Sequence, residues 1–278
     1  MTAGTVLVTG SAGAVGSALV PRLAAAGWAL RLVDRVPGSG FAVEPPHTET
    51  VGDCFDDAVL DAVLPGCDAV VHLAAVAGEA PVEEIAASHI VGTARVLEAA
   101  RRNGVRRVVA ASSNHAVGFT PRADLVGVDV RPRPDSFYGM GKVATEALCS
   151  LYADRYGMQT ACLRIGTSIP RPLTRRHLST WLSPDDLGRL VDACLRAPDL
   201  TYAVVYGISA NTRRWWDLDP GRALGYDPQD DAEAYAAEIL ASTPEQTPDD
   251  DEYRFLGGSF AHVDGWHDPR PTPPEVER

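Results

Sequence analysis

Short apolar runs alternate along the first half of the chain with longer stretches whose apolar residues recur every third or fourth position. The runs occupy residues 5–8, 30–33, 69–73 and 107–111, with a brief one at 50–51. Between them, residues 15–26, 59–64 and 85–102 carry the spacing of helices with one buried stripe. An uninterrupted apolar run suits a strand buried on both faces, and strand, helix, strand in repetition predicts a parallel sheet covered on both sides. The expected fold is therefore α/β, a doubly wound parallel sheet of the Rossmann type.

The second half continues the pattern less regularly. A loop rich in proline and aspartate, 121–135, leads into a helix expected over 137–156, where Ala144, Ala147, Leu148, Leu151 and Tyr152 form one stripe. Another strand is expected at 161–165. Ser183-Pro184-Asp185-Asp186 then opens a helix, because serine caps free amides, proline suits the first turn, and acids complement the helix dipole. A last core strand is expected at 203–207, and no internal repeat is evident. The remainder, with its acidic run 249–252 and proline-rich tail, is weakly patterned. Residues 1–169 thus form the core, and 170–278 supply a small discontinuous C-terminal cap mixed with the last core helix (183–197) and strand, effectively a single domain.

Composition narrows the function. A formal net charge of -12 excludes a nucleic-acid partner and disfavours anionic membranes, since both need a basic surface. No apolar run is long enough to span a bilayer, and the first strand begins too early for a cleaved signal, so the cytoplasm is expected. The cysteines at 54, 67, 149, 162 and 194 are scattered without metal-ligand spacing, so neither a disulfide nor a metal is expected.

The first strand-to-helix turn reads TGSAGAVG, with Gly10, Gly13 and Gly16 in GxxGxxG spacing and Ala14 and Val15 opening the helix. Bare backbone and a helix N-terminus at that place suit a pyrophosphate. Asp34 closes the second strand, where a carboxylate accepts from both ribose hydroxyls and repels a 2'-phosphate, so NAD is favoured over NADP. Arg35 beside it partly offsets that repulsion and leaves residual NADP use open. Asp53, followed by Cys54, either holds the adenine edge or is a loop or cap aspartate. Leu73, Ala74 and Ala75 end the fourth strand with residues small enough for a cofactor to lie against, whereas His72 reads as a buried structural residue.

Tyr138 and Lys142 stand one helical turn apart, on one face of the helix. A phenol ionises near pH 10, so a neighbouring ammonium is expected to lower its pKa and fit it to take a proton from an alcohol. Ser113, at the end of the strand that begins at Arg107, is placed to orient the same oxygen.

The glycine loop, Asp34, HLAA at 72–75, SSNH at 112–115 and Tyr138-x-x-x-Lys142 together resemble the extended short-chain dehydrogenase/reductase family, which includes NAD-dependent epimerases and dehydratases. SSNHAVGF from Ser112, RIGT from Arg164, RHLSTW from Arg176, VVYGISAN from Val204 and WWD from Trp215 narrow the resemblance to the uronate dehydrogenases, over nearly the whole chain. That resemblance implies NAD-dependent oxidation of a hexuronic acid, glucuronate or galacturonate, at C1 to an aldarolactone. It implies Tyr138 as base, Ser113 beside it, and Lys142 touching both the base and the cofactor. Arg176 would hold the substrate carboxylate, with Arg171 and Arg175 adding positive charge; on the residues alone Arg176 also reads as a solvated surface arginine. Asn114, His115 and Thr167 match positions that contact sugar hydroxyls, and Ser168 one near the nicotinamide. For His115 a loop role stays open. The family further implies a small homo-oligomer whose partner is a small-molecule sugar acid.

Three positions depart from the family pattern. Gly141 replaces a serine, His89 an asparagine that helps position the lysine, and Ala77 a serine that touches substrate. The rival readings are a nucleotide-sugar epimerase or dehydratase, and a non-catalytic NAD-sensing protein. The roughly 110 residues after Gly166 argue against the first as too few to enclose a nucleoside diphosphate, and the retained tyrosine and lysine argue against the second.

Overall fold

The computed structural model describes residues 3–38, 40–123, 125–245, 247 and 251–261. The proline-rich tail and most of the acidic run lie outside the described residues. Seven parallel strands form the central sheet: β1 (Thr5–Thr9), β2 (Ala29–Asp34), β3 (Thr48–Val51), β4 (Ala69–His72), β5 (Arg107–Ser113), β6 (Gln159–Ile165) and β9 (Tyr202–Gly207), in the order β3-β2-β1-β4-β5-β6-β9. The doubly wound fold expected from the apolar runs is the one observed.

Alternation along each strand feeds two separate cores. Val6 and Val8 point to one face and Leu7 to the other; Val109 and Leu163 follow the first, and Val108 and Cys162 the second. On the first face, α1 (Ala14–Ala25) and α7 (Pro184–Arg196) pack Leu19 and Leu23 with Leu187, Leu190 and Val191. The opposite face carries α2 (Asp57–Val63), α4 (Thr93–Arg102) and α5 (Phe137–Tyr156), with Leu60, Val96, Leu97 and Cys149 inward. Each such fully buried side chain contributes about 1.5–3 kcal/mol from apolar burial. The chain winds outward in both directions from β1, so a crevice opens at the carboxyl ends of β1 and β4, where ligands of such sheets bind.

Two helix ends follow their sequence signals. Ser183 Oγ accepts from Asp186 N to cap α7, and α5 runs from the Ser136 cap to Gly157, whose φ of +64° ends it. The helix expected over 85–102 is different. It begins earlier, as α3 (Val82–Ile85), continues as a π-helix over Ala86–Gly92, and becomes α-helical only in α4. The wider turn escapes a periodicity test because it lasts only the seven residues Ala86–Gly92, with α-helix on both sides.

The cap contains a two-stranded sheet of β7 (Thr167–Ser168) and β8 (Trp181–Leu182), with α6 (His177–Thr180), α8 (Asp219–Ala223), α9 (Ala236–Ser242) and α10 (Asp251–Arg254). Leu178, Trp181, Ala232, Ala236 and Ile239 form its own small core. The 121–135 loop ties the cap down through backbone bridges from Pro121 to Phe255 and from Val126 to Trp216. Leu256 N donates to Thr120 O at 3.0 Å and Gly257 N to Gly118 O at 2.8 Å, bringing residues 256–261 to the end of β5. Among the described residues no helix is long and apolar enough to cross a membrane. All five cysteines are free and buried, and among the described residues no cluster of His, Cys, Asp and Glu fits a metal.

Candidate active site

Two clefts meet along the carboxyl edge of the sheet. The first, about 360 Å³, is lined by Gly10, Ala12 to Gly16, Asp34, Arg35, Asp53, Cys54 and Leu73 to Ala77. The second, about 300 Å³, is lined by Ser112 to His115, Tyr138, Lys142, Ser168 and Phe260. Val15, Leu73, Ala75, Val76 and Ala77 line both, so they form one groove.

The first cleft has the construction a dinucleotide requires. Gly10 has φ +73°, and a Cβ there would lie 2.7 Å from Ala74 N; a Cβ on Gly16 would lie 2.3 Å from Gly10 O. Both glycines thus answer to close packing of loop, strand and helix. Gly13 meets only Gly10 O, at 3.3 Å, and lines the cleft. It is also the N-cap of α1 with no side-chain cap, which leaves the first-turn amides to an anion. Asp34 braces the loop by accepting from Ala12 N at 3.0 Å and from Val36 N at 3.3 Å. Arg35 lines the same end of the cleft. Asp53 accepts from Phe55 N at 2.8 Å, as a loop aspartate does, and also lines the cleft. Burial, reinforced by the charge of Asp53, pushes the Cys54 thiol up to about 12, so it is an inert wall. His72 is structural: buried between Thr9 Oγ1 (2.8 Å) and Thr93 Oγ1 (3.3 Å), with its pKa brought down to about 3 by burial.

Ser113, Tyr138 and Lys142 converge in the second cleft, with the phenol hydrogen-bonded to Ser113. Lys142 Nζ lies 5.4 Å from the centre of the Tyr138 ring and donates to Ala111 O at 2.8 Å. The expected lowering of the phenol by that ammonium is not produced by the protein's own groups. Burial dominates and raises Tyr138 above its ordinary value; the Ser113 hydrogen bond opposes this and Asp135 adds to it. The amine itself is weakened by burial, to about 8, and spends a donor on Ala111.

The departures His89 and Gly141 turn out to be neighbours. The His89 ring lies edge-on to Tyr138, 5.5 Å between centroids at 89°. Its Nε2 donates to Val76 O at 3.0 Å, and Ser88 Oγ accepts from Val76 N at 2.8 Å, so the π-helix grips the loop that both clefts share. Ala77 lies in that loop and lines both clefts.

Among the expected sugar contacts, Asn114, His115 and Ser168 line the second cleft, while Thr167 and Arg176 lie outside its lining. Thr167 Oγ1 is paired with Thr180 Oγ1 at 2.8 Å. His115 Nδ1 donates to Asp135 Oδ2 at 2.8 Å, which fixes the orientation of the ring in the cleft. Asn114 Nδ2 donates to Leu256 O at 3.2 Å, and Arg176 Nη2 donates to the same carbonyl. Arg176 is therefore one acceptor away from the cleft. Arg171 and Arg175 do not add to it: Arg171 pairs with Glu238 at 2.7 Å, and Arg175 holds the carbonyls of Leu240 and Thr243 at 2.9 and 3.1 Å.

Three contributors escape the sequence reading. Phe260 lines the second cleft and lies over His115, 4.3 Å between ring centres, in a segment without hydrophobic periodicity. Asp135 orients His115 and also accepts from Ser136 Oγ at 2.9 Å; its only sequence signal is its place before a helix. Glu79 accepts from the amides of Phe137 and Tyr138 at 3.1 and 2.9 Å, a contact across 58 and 59 residues that no local pattern reveals.

A family model described as the NAD dependent epimerase/dehydratase family matches residues 6–183. The chain belongs to that family. Within it, the chain is 42% identical over 254 residues to uronate dehydrogenase of Agrobacterium fabrum, covering 91% of this chain and 95% of the relative. The glucuronic acid dehydrogenase structure from Chromohalobacter salexigens superposes with a TM-score of 0.87 at 40% identity, covering 93% of this chain and 96% of that one. A uronate dehydrogenase from Agrobacterium tumefaciens, solved as a point mutant complexed with NAD, gives 0.86 at 41% identity, covering 93% and 97%.

Proposed function

We infer that this chain is an NAD-dependent dehydrogenase that oxidises a hexuronic acid, glucuronate or galacturonate, at C1 to the corresponding aldarolactone. The convergence of Ser113, Tyr138 and Lys142 at one end of a groove whose other end is built for a dinucleotide carries the reading. Identity of 40–42% to uronate dehydrogenases over most of the chain supports the substrate class.

NAD, when bound, supplies the hydride acceptor and a positive charge on its oxidised ring. Tyr138 takes the proton of the C1 hydroxyl, and Ser113 holds that same oxygen by hydrogen bonding. Burial makes the phenolate costly in the protein alone, so the base becomes competent only when cationic charge gathers at that end of the groove. Lys142 contributes its share in the ammonium form, steered by the Ala111 carbonyl. Arg176 exchanges Leu256 O for the substrate carboxylate, a bidentate acceptor that a guanidinium prefers to a single carbonyl. Asn114, His115 and Thr167 serve sugar hydroxyls, Ser168 faces the nicotinamide end, and Asp34 selects NAD while Arg35 beside it allows residual use of NADP. The core and cap act as one domain, in the cytoplasm, as a small homo-oligomer.

The deciding experiment is NADH formation from NAD with free glucuronate and galacturonate, side by side. Stoichiometric NADH with lactone as product is expected. NAD binding with no turnover on either acid overturns the reading, and turnover of a nucleotide sugar without net NADH replaces it with an epimerase.

A further inference from the structure

A separate pocket of about 330 Å³ lies in the cap, lined among others by Arg122, Arg175, Ser179, Arg213, Trp215 and Tyr253. It shares no lining residue with either cleft of the groove. The guanidinium of Arg122 is clamped between two aromatic faces, 4.2 Å from the ring centre of Trp215 and 4.1 Å from that of Tyr253. Among the described residues its side chain has neither a hydrogen bond nor a carboxylate partner, and burial alone lowers its pKa. Arg175 spends its donors on neutral carbonyls, so its charge is not cancelled. Arg213 is paired with Glu233 at 2.6 Å, and among the described residues Glu245 is the one carboxylate in the lining. Ser179, 5% exposed, lines the pocket with a hydroxyl that makes no hydrogen bond among the described residues.

Half-buried positive charge without an acid partner is expensive. That cost is relieved by an anion with several acceptor oxygens, for which the Ser179 hydroxyl in the same lining is a ready donor. The excess of cations stands out in a protein of net charge -12.

We propose that this pocket is a second anion site that binds a small dicarboxylate, with Arg122 and Ser179 as its principal donors and Arg175 and Arg213 supplying field. Two separated carboxylates match cations carried on different segments, and the C–H faces of a sugar-derived chain between them suit the Trp215 and Tyr253 flanks. The ring-opened product of the proposed reaction belongs to this class; that source, unlike the site, rests on the functional reading. The Trp215 ring also lies 5.1 Å from the Arg176 guanidinium. An occupant drawing on Arg122 therefore acts on the opposite neighbour of the same indole, and inhibition that uronate does not relieve is expected.

The test is calorimetric titration of the full-length protein with galactarate, with inorganic phosphate as a parallel probe. One galactarate site is expected, retained in Arg176→Ala, weakened at least tenfold in Arg122→Gln and Ser179→Ala, and clearly tighter than phosphate. Normal NADH titration of each variant establishes that it is folded, and Arg213→Gln replaces any variant that fails this control. Loss of binding in Arg176→Ala with none in Arg122→Gln would assign the ligand to the groove and overturn the proposal. No binding, or equal binding of phosphate, overturns it as well. Failure of the uronate assay leaves all these titrations interpretable.

Discussion

His89 occupies the hollow that Gly141 leaves. A Cβ at position 141 would stand 2.9 Å from His89 Cγ and 2.7 Å from Ile85 Cγ2, well inside contact distance. The two residues are one steric unit, and each explains the other's departure from the family pattern. Gly141→Ser should destabilise the protein by about 1–3 kcal/mol through overpacking. Adding His89→Asn to Gly141→Ser should recover most of that loss. A double-mutant cycle on thermal midpoints measures the coupling; additive effects would show the pair to be independent.

Tyr138→Phe removes the hydroxyl that Ser113 engages and keeps the packing against His89. Turnover should fall by about 10²–10⁴, the usual worth of a positioned proton acceptor, while NADH titration stays near normal. Retained turnover would remove the phenol from the chemistry.

Lys142 makes the fold pay for function, and pH reveals it. Its folded pKa, about 8, lies below the ordinary value of 10.5. Between those pH values the unfolded chain binds more protons, so this group's contribution to stability rises with pH across that window and is least favourable below 8. The shift corresponds to about 3 kcal/mol at neutral pH. Lys142→Met escapes that cost but leaves Ala111 O without its donor, a loss of about 1–2 kcal/mol. A net gain of about 1 kcal/mol, or about 2–4 °C, is expected at pH 7, shrinking and then reversing toward pH 10, alongside loss of turnover. Scanning calorimetry across pH checks it; a gain independent of pH would contradict the assignment.

Asp34 does two jobs, bracing Ala12 N and lining the first cleft beside Arg35. Asp34→Ala should raise the KM for NAD about tenfold or more, with a smaller effect on kcat, and should raise the relative use of NADP as Arg35 loses its neighbouring carboxylate. Steady-state kinetics with both cofactors decides it, and an unchanged cofactor ratio would count against selection by charge.

Glu79→Ala should lower kcat more than it raises the KM for uronate, because Glu79 holds the amide of Tyr138 without lining the second cleft. Partial rescue by Glu79→Gln, which keeps one acceptor oxygen, would separate positioning from general destabilisation.

The sheet was legible because its inner strands are buried on both faces, so that Val6, Leu7 and Val8 leave no polar interruption to misread. The glycine loop and the Tyr138 and Lys142 pair were legible because their spacing is itself the geometry. Partners were not. Nothing local says that Arg171 faces Glu238, that Arg175 holds carbonyls, or that a buried Lys142 weakens with its phenol. Ion pairing and burial depend on what the chain brings from elsewhere. The C-terminal segment was opaque for another reason: backbone bonds such as that from Gly257 to Gly118 fasten it, and these leave no apolar period.

Leu256 and Phe260 come late in the chain, yet one offers the carbonyl shared by Asn114 and Arg176 and the other covers His115. During synthesis, every residue that lines the first cleft is therefore made long before those that complete the second. Polypeptides cut just upstream of Leu256 would keep the whole lining of the first cleft and lose both the carbonyl that engages Asn114 and Arg176 and the ring over His115.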